Sequence, residues 1–268
     1  MQSLAIEDGK LPEVGPLVAT SGMPGVSARY AFVSTRDIVN EIVQHGFRPV
    51  SCQLAAARDA RQGFQKHRIE FELPGSPVAL DGTRLRLILI NSHDRSSAMH
   101  LYLGFFRSLC ENGIVVGDSF SEPIKVYHVG GPRLAVAINE ALVTALERVP
   151  LVMQQYQRML ETELGPHERL ALFSHIHSAL QENEGKNYTK IYEIQRAEDF
   201  ANDAWTVFNV IQETVTKGLG TVSSVSKLNG SRRFVKARAI KSIERNIKIN
   251  RLLFDTTTAY LNSIGAAV

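Results

Sequence analysis

The chain has 268 residues, of which 44% are hydrophobic and 21% charged, and its formal net charge at pH 7 is +3. These values are typical of a soluble globular protein with a substantial core, and two cysteines are too few for a disulfide-bonded secreted scaffold. No apolar run reaches the roughly 20 residues that span a bilayer, so we expect a cytoplasmic protein without membrane contact.

The first elements in chain order are an arm and a helix. Residues 1–31 are rich in Gly, Pro and small side chains without a sustained period, and we expect an extended N-terminal arm that lies across a neighbouring protomer. Ser34 then precedes a stretch whose apolar positions repeat with helical period as far as Gly46. Ser is a favoured N-cap and Gly a favoured terminator, which predicts a helix between them.

The next stretch, Phe47 to Val129, predicts β-strands. Apolar and polar residues alternate in RPVSCQLAAAR, KHRIEFEL and RLRLILIN, and MHLYLGFF is a further candidate strand. In KHRIEFEL the charged residues all fall on one face, which is typical of a half-buried strand with a solvated outer side. We therefore expect a mainly antiparallel sheet in the N-terminal half.

From Arg133 onward the apolar period becomes helical. Pro150 should kink or split the first of these helices, and Pro166 suits the start of the next. A Gly/Ser-rich loop over residues 218–231 precedes a last helix through RFVKARAIKSIERNIKINRLLF. The predicted fold class is α+β, with a single domain over residues 32–262 that is sheet-rich in 32–130 and helical in 131–262.

Positive charge is concentrated in that last segment. Between Lys217 and Arg251 there are ten Lys or Arg residues and one acid, Glu244, so the segment is +9 and the remaining residues sum to −6. Such a segment favours binding of a polyanion, most often nucleic acid, and the alternatives are a solvated or acid-paired face, an anionic membrane or an acidic protein. With basic positions of the predicted sheet added, the candidate nucleic-acid-binding residues are Lys66, Arg68, Arg84, Arg86, Lys227, Arg232, Arg233, Lys236, Arg238, Lys241, Arg245 and Lys248.

The central stretch INSHDRSSAMHLYLGFFRSLCENG contains most of the chemically reactive side chains. Zinc needs three or four converging ligands, and the spacing here matches no standard finger or HExxH pattern. A Cys110 nucleophile would need the fold to bring a His base to it, and no P-loop pattern occurs. We therefore predict no catalytic residue, no cofactor and no metal; the weak metal-ligand candidates are His67, His93, Asp94 and His128.

Two aromatic sets in the C-terminal half have different predicted roles. Trp205, Phe208 and Ile211 recur at helical spacing, which indicates core packing. Tyr188 and Tyr192 are a candidate exposed pair on which nucleic-acid bases would stack.

Several of these motifs together resemble a bacterial family of phage- or plasmid-like proteins, the domain-of-unknown-function family 932. The motifs are KHRIEF, LINSHDRSSAMHLYLGFFRSLCENGIVVG, the Tyr127-His128 pair, AWTVFNVIQE and RAIKSIERNIKINRLLF. The resemblance spans about residues 34–258, and Arg95 stands where the family usually has Gly after His-Asp. The mobile-element setting implies DNA recombination, replication or counter-defence. A looser similarity of fold links the chain to phage single-strand annealing proteins, which assemble into rings or filaments.

The sequence thus leads to one main hypothesis and two alternatives. The main hypothesis is a non-enzymatic, oligomeric protein of a phage or mobile element that binds or anneals single-stranded DNA in recombination. The first alternative is a counter-defence or regulatory protein that binds a host protein through the same basic face. The second is a metal-dependent enzyme built on the central His/Asp cluster.

Overall fold

The structure is a computed structural model that describes residues 2–74, 82–107, 112–115, 124–126, 134–225 and 231–265. The described residues form two compact units, the first holding those up to Val149 and the second those from Pro150 onward. In chain order the strands and helices are β1 (Gln2–Leu4), α1 (Thr35–Gln44), β2 (Arg48–Leu54), β3 (His67–Glu72), β4 (Thr83–Asn91), β5 (Met99–Arg107), β6 (Asn112–Val115), β7 (Ile124–Val126), α2 (Leu134–Glu161), α3 (Pro166–Glu184), β8 (Asn187–Lys190), α4 (Ala204–Thr216), β9 (Thr221–Val225), β10 (Arg232–Lys236) and α5 (Ile243–Ser263).

The first unit contains the antiparallel sheet that the alternating sequence pattern predicts. Its strands follow the order β1-β2-β3-β4-β5-β6, and β7 also pairs with β5. In the β3–β4 register, Ile69 lies opposite Leu89 and His67 opposite Asn91. Together with the helices of the C-terminal half, this sheet confirms the α+β fold class.

The charged face of β3 differs from the prediction of a solvated surface, because all six residues of the strand are buried. Arg68 and Glu70 form an ion pair at 2.8 Å on this face, and Arg86 of β4 binds Glu70 at 2.7 Å. The Arg86 guanidinium also lies 3.5 Å from the ring centroid of Phe106. Burial is tolerated here because the charges are paired with each other.

The predicted N-terminal helix is confirmed as α1. Ser34 is its N-cap and accepts a hydrogen bond from the Asp37 amide at 3.3 Å, while Ile38 and Ile42 are fully buried. The residues before α1 lie against their own unit, since β1 extends the sheet beside β2 and Leu17 is buried. The N-terminal arm therefore packs at least partly against its own unit. The expectation that it lies across a neighbouring protomer stays a prediction.

The second unit has a helical core, and the aromatic residues predicted to be buried there are buried. Trp205, Phe208 and Ile211 of α4 are all fully buried. The Trp205 ring meets Tyr156 edge-on at 4.8 Å, and Phe208 meets Phe254 edge-on at 5.8 Å. Helical spacing in the sequence was therefore sufficient to identify this core.

Pro150 does not split its helix, because α2 runs without interruption through it. Proline removes one backbone donor, and packing of an amphipathic face can outweigh that loss. Leu142 before Pro150 and Val152 after it are both fully buried. These packed positions account for the continuity of α2 on both sides of the proline.

The basic segment was predicted as a loop followed by one long helix, and this prediction was wrong. Residues Thr221–Val225 and Arg232–Lys236 are the paired strands β9 and β10, and β8 completes a three-stranded antiparallel sheet. The helix α5 begins only at Ile243, where the Ser242 side chain accepts a hydrogen bond from the Arg245 amide. Thr, Val and Phe in these strands favour extended backbone once a neighbouring strand is available.

The residues outside the described ranges include Cys110, the Tyr127-His128 pair and Lys227, all of which were singled out in the sequence. Among the helices that the structure does describe, none has the length and apolar character needed to cross a bilayer.

Candidate nucleic-acid interface

The exposed strand β10 is the centre of the candidate interface. All five of its residues are exposed, and Phe234 keeps 65% of its surface accessible to solvent. Because side chains alternate along a strand, Arg232, Phe234 and Lys236 share one face, and Arg233 lies on the other. An exposed aromatic ring between two cations is suited to a polyanion that also carries planar groups.

The segment between β10 and α5 is held in place by backbone contacts with the end of α4. The Ile240 amide donates to the Thr216 carbonyl at 2.8 Å, and the Ala237 amide donates to the Gly220 carbonyl at 2.9 Å. A Cβ atom on Gly218 would lie 2.5 Å from the Ala239 nitrogen, so only glycine permits this approach. The buried members of the segment anchor it, and the predicted site residues Arg238 and Lys241 are exposed.

Arg245 and Lys248, at the start of α5, both bind the acid Glu184 at the end of α3. Arg245 Nη2 and Nε lie 2.8 Å from Glu184 Oε2, and Lys248 Nζ lies 3.2 Å from Glu184 Oε1. For Arg245 and Lys248, the alternative that the basic residues pair with acids elsewhere in the chain is therefore correct. The pairing fixes their positions, and Lys248 remains exposed beside its partner.

A further cation, Lys186, lies near Arg245 and Glu184, and it was not among the predicted binding residues. Burial lowers the pKa of Lys186, the nearby Arg245 and Arg238 lower it further, and Glu184 opposes the shift. We call Lys186, Arg238, Arg245 and Glu184 the Lys186 cluster. Lys186 is 31 residues before the first residue of the basic segment, Lys217, so no local sequence signal could have linked the two.

The basic positions of the first sheet have different surroundings. Lys66, Arg68 and Arg86 are buried, and Arg84 pairs with Glu72 at 3.5 Å while staying partly exposed. Buried, paired cations cannot reach a phosphate without losing their partners. Three of these four cations are therefore excluded as phosphate contacts, and the proposed interface uses the larger set of exposed cations in the second unit.

The central histidines form a buried polar cluster with Thr35. Thr35 Oγ1 lies 2.8 Å from His67 Nε2 and 3.1 Å from His93 Nε2, and Asn91 donates to the same oxygen at 3.1 Å. Asp94 accepts a hydrogen bond from the Ser96 amide at 2.9 Å and lies 3.8 Å from Arg61. Within the described part of the chain, no group of three His, Cys, Asp or Glu residues is arranged to hold a metal.

Cys52, the cysteine within the described residues, and the candidate stacking tyrosines are all at least partly buried. Burial raises the pKa of the Cys52 thiol to about 12, so this thiol is protonated at neutral pH and a poor nucleophile. Tyr188, predicted to be exposed, is 2% exposed. Tyr192 is half-buried, with its ring centroid 5.1 Å from that of Phe173. The two tyrosines therefore do not form the exposed stacking pair that was predicted.

Comparison with known proteins identifies relatives over most of the chain. A family described as "Domain of unknown function (DUF932)" matches residues 24–254. The UPF0380 protein YafZ of Escherichia coli (strain K12) is 29% identical over 245 residues, which cover 89% of this chain and 85% of that protein. The UPF0380 protein YfjQ of the same organism is 29% identical over 235 residues, covering 85% and 81% respectively. No solved structure matches significantly.

Proposed function

The chain belongs to the DUF932 family, and we propose that it is a non-enzymatic protein that binds single-stranded DNA through the second unit. The observation that carries the proposal is β10, an exposed strand with Phe234 between Arg232 and Lys236. The proposed setting, drawn from the family's mobile-element character, is the cytoplasm of a bacterium. There the protein would act as an oligomer in annealing or recombination.

Electrostatics supports a contact with the phosphate backbone. Arg232, Arg233 and Lys236 of β10 are exposed, as are Arg238, Lys241 and Lys248 farther along the chain. Each phosphate that such a cation neutralises releases condensed counterions, which makes binding tolerant of sequence and sensitive to salt. The Gly218 contact and the buried Ile240 hold these cations on a fixed surface instead of a free tail.

The exposed ring of Phe234 favours a single strand over a duplex. In a duplex the base faces are covered by neighbouring bases, whereas in a single strand they are open to an aromatic side chain. A base stacked on Phe234 would lie beside cations on the same face of β10, which suits the alternation of bases and phosphates along a strand. Stacking is also tolerant of base identity, because every base has a π face.

The proposal is tested by fluorescence anisotropy with a labelled oligothymidine and a duplex of the same length. We expect binding of the single strand at low salt, weaker binding of the duplex, and a linear fall of log affinity with log salt concentration. If no oligonucleotide binds at low salt, or if affinity does not change with salt, the proposal fails.

One structural feature also supports the alternative function, which is binding of a host protein through the same basic face. In the part of the chain that the structure describes, β10 pairs with β9 alone, so its other edge is open to a partner strand. Val235 on this strand is 45% exposed. Co-purification from a host lysate with and without nuclease separates the two functions, because a protein partner is retained after nuclease and a nucleic-acid bridge is not.

A further inference from the structure

The second unit contains a groove between α3 and the strand β8. Its volume is about 440 Å³, within the range of small-molecule sites. The aromatic lining includes Phe173, Tyr188 and Tyr192, and hydroxyls of Ser178 and Thr189 add polar groups. An aromatic slot with a few polar groups is suited to a flat, partly polar ligand.

The strand side of this groove depends on an irregularity in β8. Tyr188, Thr189 and Lys190 all line the groove, although neighbouring side chains of a regular strand point to opposite faces. The register of β8 on β9 shifts between Tyr188 and Lys190, which is the signature of a bulge. Bulges redirect side chains and are common beside functional sites.

Members of the Lys186 cluster lie near residues that line the groove. Tyr188 lines the groove and also lies within electrostatic reach of Arg245 and Glu184, both members of the Lys186 cluster. His177, another lining residue, is hydrogen-bonded at 3.0 Å to Asn187, which is the neighbour of Lys186 in the chain. Tyr188 thus links the groove to Arg245, and aromatic rings near cations are complementary to a base with its phosphate.

We propose that the groove between α3 and β8 receives one unstacked base of the bound DNA strand, while the cations Lys186, Arg238 and Arg245 hold the adjoining phosphate. This inference rests on the proposed function and adds a second base site, distinct from Phe234. A strand that occupies both sites would be held by stacking at two places. Binding would then depend on the presence of bases as well as phosphates.

The test compares a labelled oligothymidine with an abasic oligonucleotide of equal length and charge, using the full chain. Ser174 and Ser178 are exposed groove residues on α3, so Ser174→Trp and Ser178→Trp fill the groove without replacing a buried side chain. Gln181→Trp places the same indole at an exposed position of α3 that does not line the groove. Circular dichroism and thermal unfolding identify any variant that does not fold.

For the unmodified chain we expect the thymidine strand to bind at least about tenfold more tightly than the abasic strand, as stacking of bases on aromatic side chains predicts. At least one folded groove variant should lower this ratio about fivefold or more by weakening only the thymidine strand, and Gln181→Trp should leave the ratio unchanged. The proposal is overturned if the folded groove variants keep the full ratio, even when DNA binding itself is established. Equal binding of both strands by the unmodified chain also overturns the groove proposal. If the unmodified chain binds neither strand, the proposed function is refuted as well.

Discussion

The hydroxyl of Thr35 in α1 lies 2.8 Å from Nε2 of His67 in β3, at a point where both residues are fully buried. His67 Nδ1 lies 3.0 Å from the Gln65 carbonyl oxygen, which can only accept, so Nδ1 carries the ring proton. In the neutral ring Nε2 is then an acceptor, and the Thr35 hydroxyl donates to it. His67 thus links α1 to β3 through this hydrogen bond.

Removing this hydroxyl should destabilise the first unit. Thr35→Val keeps the shape of the side chain but deprives His67 of a donor and Asn91 of an acceptor, at an expected cost of about 3 kcal/mol. Thr35→Ser keeps the hydroxyl and should cost only about 1 kcal/mol for the lost methyl group. Urea unfolding measures both variants. A Thr35→Val variant as stable as the unmodified chain would show that the hydrogen bonds contribute nothing.

Arg95 offers a position where a substitution should increase stability. Its φ angle is +64°, in the left-handed region that costs a residue with a side chain about 1–2 kcal/mol. After allowing for the greater freedom of Gly in the unfolded chain, Arg95→Gly should stabilise by about 0.5 kcal/mol. Arg95→Ala is the control, because it removes the side chain and keeps the strain. An increase in the melting temperature with Ala equal to that with Gly would rule out backbone strain as the cause.

Glu213 should make the second unit sensitive to acid. Burial alone would raise the pKa of Glu213, but hydrogen bonds from Arg196 and Lys217 outweigh burial and hold the pKa below its usual range. A lowered folded pKa gives stability that is present above the unfolded value, about 4.3, and is lost as pH falls through the folded pKa. Glu213→Gln should therefore destabilise by about 2 kcal/mol at pH 7 and by less near pH 3.

The comparison at two pH values is made by urea unfolding, with exposed Glu198→Gln as the matched control. Glu198→Gln should leave both midpoints nearly unchanged. A Glu213→Gln variant that loses the same stability at pH 3 as at pH 7 would show that ionisation of Glu213 is not the source of the stability.

Gly220 is expected to tolerate no side chain. A Cβ atom there would lie 2.2 Å from the Lys190 carbonyl oxygen, a backbone atom of β8 that cannot move without disturbing the sheet. Gly220→Ala should cost about 3 kcal/mol, at the upper end of the range for overpacking, and weaken DNA binding by displacing β9 and β10. Gly185→Ala is the control, since its φ is +62° and no atom lies within 4 Å of the added carbon, so it should cost about 1 kcal/mol. Thermal unfolding and anisotropy check both, and equal stability of the two variants contradicts the clash.

The sequence pattern was sufficient to predict an element of secondary structure where the local period and the tertiary environment favour the same element. Alternation in KHRIEFEL predicted β3, and the Ser34 cap predicted α1, because each pattern reflects contacts made close by in the chain. The strand β10 could not be predicted in this way. Arg and Lys suit a helix as well as a strand, and β10 is extended because it pairs with β9 and its C-terminal end meets Gly220.

In the candidate site, too, the sequence predicted only the features that depend on residues close together in the chain. The exposed cations of β10 and α5 were recognisable from charge density alone, because they are close in the chain. The pairing of Arg245 with Glu184 and the position of Lys186 depend on α3 packing beside α5, which brings together residues about 60 positions apart. Such contacts have no local signal. The burial of Arg68 and Arg86 likewise follows from acids on neighbouring strand positions.

The most direct test of DNA binding by the second unit is the salt-dependent affinity for oligothymidine of a triple variant, Arg232→Ser with Arg233→Ser and Lys236→Ser. The matched control removes three exposed cations of the first unit by Lys10→Ser, Arg29→Ser and Arg58→Ser, so both proteins lose equal charge. The β10 variant should bind at least tenfold more weakly, and its slope of log affinity against log salt should fall by about 2, since each single-strand phosphate contributes about 0.7. The control should bind like the unmodified chain. Equal affinity and equal slope in the two variants would contradict the assignment of the DNA-binding surface to β10.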